Sequence, residues 1–201
     1  MKAAINRGAV AKNNIQNAIS LLQTQDGVLQ TATAVVDRIA ELKAMSQDAT
    51  KNSDDLQNYN EEFQVLSQQL RDLQAERFNG VSMFNTNQGS TDATQDGVYA
   101  VYTTEQGSLD NGTQIGPSVT IDGVFLAWAG TNTNNSTASI VYSVSSGFTG
   151  AVSSPIAGGI ASASLTMDGI LSDLQNLANA RAHNGALQSR LGFAYDNASI
   201  T

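Results

Sequence analysis

Few residues in this chain could do chemistry, and their spacing does not gather them. The 201 residues include one histidine, His183, and no cysteine. That excludes disulfide frameworks, thiol nucleophiles and Cys-based zinc sites. A single histidine also cannot supply the paired-histidine metal site of a zinc protease within one chain. His183 has no nucleophile motif near it and reads as a polar residue on or between helices. Asp92-x-Thr94-x-Asp96-Gly97 echoes a calcium loop, but residue 103 is Thr where the loop needs a bidentate Glu. There is no Walker loop, no Gly-x-Ser-x-Gly elbow and no pair of carboxylates placed for acid/base work. The sequence therefore predicts no enzyme, no cofactor and no metal.

Charge narrows the field further. Eighteen acids face ten bases, a net charge of −8 with a pI near 4.4. Nucleic-acid binding needs clustered Lys and Arg to displace counterions, and an anionic membrane would repel such a surface. No run approaches the roughly 18 apolar residues of a membrane-spanning helix. The start at Met1 lacks the apolar core of a secretory signal. With 41% hydrophobic and 14% charged residues, the chain is neither a disordered acidic tail nor a charge-saturated coiled coil.

The elements that carry these residues fall into three regions. Every Lys and Arg lies outside residues 85–163, whereas that stretch holds both prolines and most of the 17 glycines. Residues 1–84 and 164–201 read as helical, with 85–163 as an insert. In the first region Ile15, Leu22, Leu29 and Val36 recur every seven residues beside a second stripe of Leu21, Val28, Val35 and Leu42. This predicts one rod-like helix of about 45 residues, some 65–70 Å long. Asn52-Ser53-Asp54-Asp55 breaks it, with Ser53 as the expected N-cap of a second, antiparallel helix. Leu56, Tyr59, Phe63, Leu66, Leu70 and Leu73 then form a 3-4 seam, and Asn79-Gly80 supplies a left-handed stop. A third helix starts near Ser164, with Met167, Ile170, Leu171, Leu174, Leu177, Leu187 and Leu191 as its apolar face and small alanines between them. It packs on the first two, so the chain ends lie together.

The insert reads as short strands at 98–102, 119–121, 124–128 and 140–144, β-branched and aromatic, with Asp122-Gly123 as the strongest hairpin signal. Tyr99, Tyr102, Trp128 and Tyr142 belong to its sheet core. The expected fold is mainly α with a β insert (α+β): a long antiparallel three-helix rod carrying a small antiparallel β region at its far end. Ser/Thr/Asn-rich stretches at 130–137 and 143–154 read as exposed loops.

Four segments carry a family resemblance. Asn17-Ala18-Ile19-Ser20-Leu21-Leu22-Gln23-Thr24-Gln25-Asp26-Gly27-Val28-Leu29 and Asp37-Arg38-Ile39-Ala40-Glu41-Leu42 lie in the first helix. Arg77-Phe78-Asn79-Gly80-Val81-Ser82-Met83-Phe84 follows the second, and Arg181-Ala182-His183-Asn184-Gly185-Ala186-Leu187-Gln188-Ser189-Arg190-Leu191 lies in the third. In order and spacing, over roughly 13–84 and 165–197, they resemble bacterial flagellin. The resemblance implies a structural subunit of the flagellar filament that supports motility, exported by the flagellar type III system to the cell exterior. Its partners would be other flagellin subunits, an export chaperone and cap proteins. It also implies that this chain is a fragment without the terminal inner-tube segments, monomeric by itself. Arg38, Leu42 and Glu62, with Glu41 beside Arg38, match family positions of subunit packing or Toll-like receptor 5 recognition. Phe78, Asn79 and Gly80 match the turn after the second helix, and the outer loops match segments that carry O-glycans. Two other readings are a hook–filament junction protein and a secreted adhesin or receptor-binding module using the insert.

Overall fold

The computed structural model describes residues 2–84, 99–104, 108–110, 113–121, 124, 159–161 and 165–200. Helix α1 runs unbroken over Lys2–Ser46. Along one face Ala11, Ile15, Ala18, Leu22, Gln25, Leu29, Ala32, Val36, Ile39 and Lys43 are buried, alternating four and three apart, with Leu21 and Leu42 buried beside them. Helix α3, Met167–Ile200, buries Ile170, Asp173, Leu177, Ala180, Asn184, Leu187 and Leu191 at the same spacing. Two helices with this alternation form a coiled-coil seam, and the alanines in it allow close approach. Contacts between Asp26 and Arg181, Leu22 and Asn184, and Lys12 and Tyr195 set α3 antiparallel to α1. The two chain ends therefore lie side by side, as expected.

Helix α2, Ser53–Gln74, folds back on the second half of α1. Its N-cap is Asn52, not the expected Ser53. The Asn52 side chain accepts from the Asp55 amide at 2.7 Å, while Asp55 Oδ2 accepts from the Asn52 amide at 3.4 Å. This reciprocal box satisfies two otherwise orphaned donors, which a Ser one residue later could not do in this frame. Phe63, Ser67, Leu70 and Leu73 are buried, with Leu66 and Tyr59 packed on the same cluster.

Asn79 and Gly80 do not stop α2, which ends at Gln74. They form the two-residue loop between strands β1, Arg77–Phe78, and β2, Val81–Ser82. Arg77 pairs with Ser82 and Phe78 with Val81. Both loop residues have positive φ, 51° at Asn79 and 81° at Gly80. A type I′ hairpin demands this at its two central positions, and Asn-Gly meets it with least strain. Phe78 packs against both core clusters and ties them together.

Strand β3, Tyr99–Tyr102, pairs antiparallel with β6, Ser118–Ile121, from Tyr99↔Ile121 to Tyr102↔Ser118. Between them β4, Ser108–Asp110, and β5, Thr113–Ile115, form their own hairpin. The expected Asp122-Gly123 hairpin has its loop outside the described residues; of those flanking it, Ile121 pairs with Tyr99 and Val124 bridges in parallel to Phe84. The strands expected at 125–128 and 140–144, with Trp128 and Tyr142, lie outside the described residues.

The β3–β6 sheet is not at the far end of the rod. Val101, Val119 and Ile121 pack on Ile15, Leu22, Leu187 and Leu191, in the half that holds the chain ends. The reason is length: α2's 22 residues span about 33 Å, roughly half of α1. Where α2 runs out, the apolar residues of α1 and α3 still need cover, and the sheet supplies it.

Candidate interaction surface

Three of the four expected recognition residues converge. Arg38 projects from α1 and donates through Nε to Glu62 Oε1 at 2.6 Å and through Nη2 to Glu62 Oε2 at 3.1 Å. Its Nη1 donates to Glu41 Oε2, one turn on, at 2.7 Å. The fork is bidentate towards α2, the geometry that guanidinium and carboxylate planes favour. Its hydrogen bonds to Glu62 and then Glu41 hold Arg38 above its ordinary pKa, and Arg38 holds Glu62 below the usual carboxylate range. Leu42 does not join this exposed group. It is fully buried in the core with Phe63 and Ile39, so it supports the cluster from beneath and offers no surface of its own.

The hairpin residues follow α2 and are held separately from this cluster. Arg77 Nη1 donates to the Gly80 carbonyl across the loop at 3.2 Å. Gln25 Nε2, buried in the α1 seam, donates to the Met83 carbonyl at 2.8 Å and fixes the chain as it leaves the hairpin. Tyr99 Oη donates to the Ser82 carbonyl at 2.7 Å and brings β3 onto the same turn. His183 lies half-buried on α3. Among the described residues no three His, Asp or Glu side chains converge as a metal site.

The sequence reading missed the polar residues inside the seam: Gln25, Lys43, Asp173 and Asn184. Each occupies a heptad position where an apolar residue would continue the pattern, and that interruption is the signal that could have found them. Asn184 Nδ2 donates to the Leu22 carbonyl at 2.9 Å. Lys43 Nζ donates to the Ile160 carbonyl at 2.9 Å, and burial lowers its pKa.

The outer face of the α1–α3 pair is nearly free of charge. Between Lys12 and Asp37 the one charged residue of α1 is Asp26, and between Asp168 and Arg190 of α3 they are Asp173 and Arg181. Asp173 is buried, and Arg181 Nε is 3.0 Å from Asp26 Oδ1. What remains exposed is amide, hydroxyl and small: Gln23, Gln30 and Ala34 on α1, with Ala178, Ala182 and Ala186 on α3. Ser20, Thr24 and Thr31 turn their hydroxyls back to carbonyls one turn earlier, at 3.0, 2.9 and 3.1 Å. Leu171 and Phe193 stand on the outer side of α3, 54% and 74% exposed. Solvated helices ordinarily carry charge on their outer face, and depletion of charge is the compositional mark of an interface core.

Comparison with known proteins bears on this arrangement. Residues 1–89 match the family model described as the bacterial flagellin N-terminal helical region. A flagellin of Halalkalibacterium halodurans is 34% identical over 86 residues, 43% of this chain and 30% of that protein. The match thus spans less than a third of the curated relative's length. In three dimensions the chain resembles the crystal structure of Bacillus cereus flagellin at a TM-score of 0.61 and 18% identity, covering 92% of this chain and 88% of that one. At that identity the likeness establishes the fold.

Proposed function

We propose, from the match of residues 1–89 to the bacterial flagellin N-terminal helical region and the likeness of the fold to a flagellin's, that this chain is the rod-bearing part of a flagellar filament subunit, assembling with further copies through the outer face of α1 and α3. The observation that carries the reading is the charge-poor helical face. It is long and, apart from the mutually paired Asp26 and Arg181, charged only near its ends, so a neighbouring rod can approach without desolvating an unpaired ion. A contact of one face on a different face of the next copy does not close, and repetition then yields a helical polymer. In this reading the protein works outside the cell in the flagellum, reached through the flagellar export system with chaperone and cap proteins as partners. Its role is structural and serves motility. The Arg38–Glu41–Glu62 cluster, exposed and preorganised, is the charged contact point for a neighbouring subunit or for Toll-like receptor 5.

The test places a charge on that face in the full-length protein. Ala182→Glu changes an exposed helical position and leaves the seam intact. Electron microscopy of cells carrying the variant is expected to show short or absent filaments, although circular dichroism of the purified protein reports unchanged helix. Filaments of normal length and motile cells from Ala182→Glu and an Ala178→Glu companion would refute the assignment of this face.

A further inference from the structure

The chain returns to the rod through a single turn of 3₁₀ helix, Gly159–Ala161, and Ile160 in that turn is held from two helices. Its carbonyl accepts from Lys43 Nζ of α1 at 2.9 Å, and its amide donates to Asn60 Oδ1 of α2 at 3.2 Å. Its side chain is 1% exposed, within the core cluster that contains Leu42 and Phe63. Gly159 has a φ of 65°, and a Cβ there would lie 1.8 Å from Asn60 Oδ1. The backbone can therefore approach Asn60 only because residue 159 has no side chain. Lys43 is the strangest member of the seam, a cation 5% exposed at a heptad position. Burying it carries a desolvation cost that an apolar residue would avoid.

We propose that Ile160 is a lock between the insert and the rod: Lys43 and Asn60 hold its two main-chain polar groups, so that the returning chain and the α1–α2 hairpin secure or release each other as one unit. The placement supports a joint role. Gln25 pins the outgoing chain at Met83, and Lys43 pins the returning chain 18 residues further along α1, about 27 Å away at the helical rise. Two buried polar anchors at that separation hold the chain on α1 where it leaves the rod and where it returns. A force or ligand acting on the insert then reaches α2 through Asn60 and the far half of α1 through Lys43. The lock stands whether or not the rods assemble into filaments.

Amide hydrogen exchange on the whole chain tests it. Asn60→Ala removes the acceptor of the Ile160 amide, and Lys43→Met removes the donor to its carbonyl while keeping the seam filled. Each is expected to speed exchange about tenfold at Ile160 and together with it across the first half of α2, the increase that loss of one buried hydrogen bond produces in a cooperative unit. The α1–α3 seam around Leu22 and Leu187 keeps its protection. Acceleration confined to Ile160, with α2 unchanged, overturns the proposal. If Lys43→Met fails to fold, Asn60→Ala decides alone. A mutant cycle gives an independent reading: Gly159→Ala opens the unit through backbone strain at φ 65° and a clash with Asn60, and adding Asn60→Ala relieves the clash, so the pair produces less than the sum of the two effects. Strict additivity would mean that Gly159 and Asn60 do not meet as described, and would sink the lock.

Discussion

Replacing Asn184 separates two accounts of what holds α3 to α1. Asn184 is 1% exposed at the seam. Its Nδ2 donates to the Leu22 carbonyl at 2.9 Å, and its Oδ1 accepts from the half-buried Gln188 Nε2 at 3.3 Å. The Leu22 carbonyl lies inside α1, where the amide four residues on already satisfies it. Truncation therefore leaves no buried orphan on α1, and Gln188 can turn to water. The loss in Asn184→Ala is one net hydrogen bond plus a small void, about 1–2 kcal/mol. Asn184→Leu fills the void and removes the buried amide, so stability should stay within about 1 kcal/mol of the parent. Leu22→Ala, at a neighbouring seam position that is 0% exposed, should cost about 2–5 kcal/mol. Urea unfolding followed by circular dichroism gives all three. Thermal midpoints should follow at about 2–4 °C per kcal/mol for a chain of this size. If Asn184→Ala costs as much as Leu22→Ala, or if Asn184→Leu fails to recover the loss, then apolar packing is not what holds the seam and the reasoning is wrong.

Other outcomes follow from single observations. Gly80→Ala meets no atom within 4 Å, so its cost is backbone strain alone at φ 81°, about 1–2 kcal/mol in the unfolding free energy. A neutral effect would mean that the loop is not a type I′ turn. Asn52→Ala should cost about 1 kcal/mol by removing the cap of α2, whereas Ser53→Ala should be nearly silent; the reverse order would restore Ser53 as the cap. Lys43 has its folded-state pKa lowered from 10.5 by burial, so below 10.5 the unfolded chain binds more protons and stability rises with pH through that window. Relative to Lys43→Met, the parent should gain stability as pH climbs towards 10.5, and a flat difference would contradict the burial. Arg181→Ala removes a partner of Asp26 with both side chains about a third exposed. The loss should stay below about 1 kcal/mol and shrink in salt.

Much of the architecture is written in local periodicity. The stripe of Ile15, Leu22, Leu29 and Val36 is fully buried in the structure, because a helix repeats its faces every few residues wherever it lies. Charge statistics likewise marked out the helical regions, since a solvated rod needs Lys and Arg and the insert holds none. Arg38 and Glu41 are neighbours by helical spacing alone, and Asn79-Gly80 announces a left-handed turn from its residue types. What that turn joins was not legible, because a cap and a hairpin loop ask for the same backbone angles.

Tertiary structure decided the rest, and the reason is that its partners are far apart in sequence. A strand's alternation tells which residues face inward but not which strand lies beside it, so the pairing of Val119 to Ile121 with β3 is not announced locally. Leu42 sits both on an apolar stripe and at a position matched to recognition, and burial in the core with Phe63 and Ile160 decides between them. Arg38 meets Glu62 only when α2 folds back in register. Lys43, a misplaced cation in the heptad pattern, finds its hydrogen-bond acceptor 117 residues away at Ile160. Periodicity is a property of one helix, and hydrogen bonds between elements depend on where each element ends; the sequence determined the rods by itself, and only their packing decided which polar groups meet.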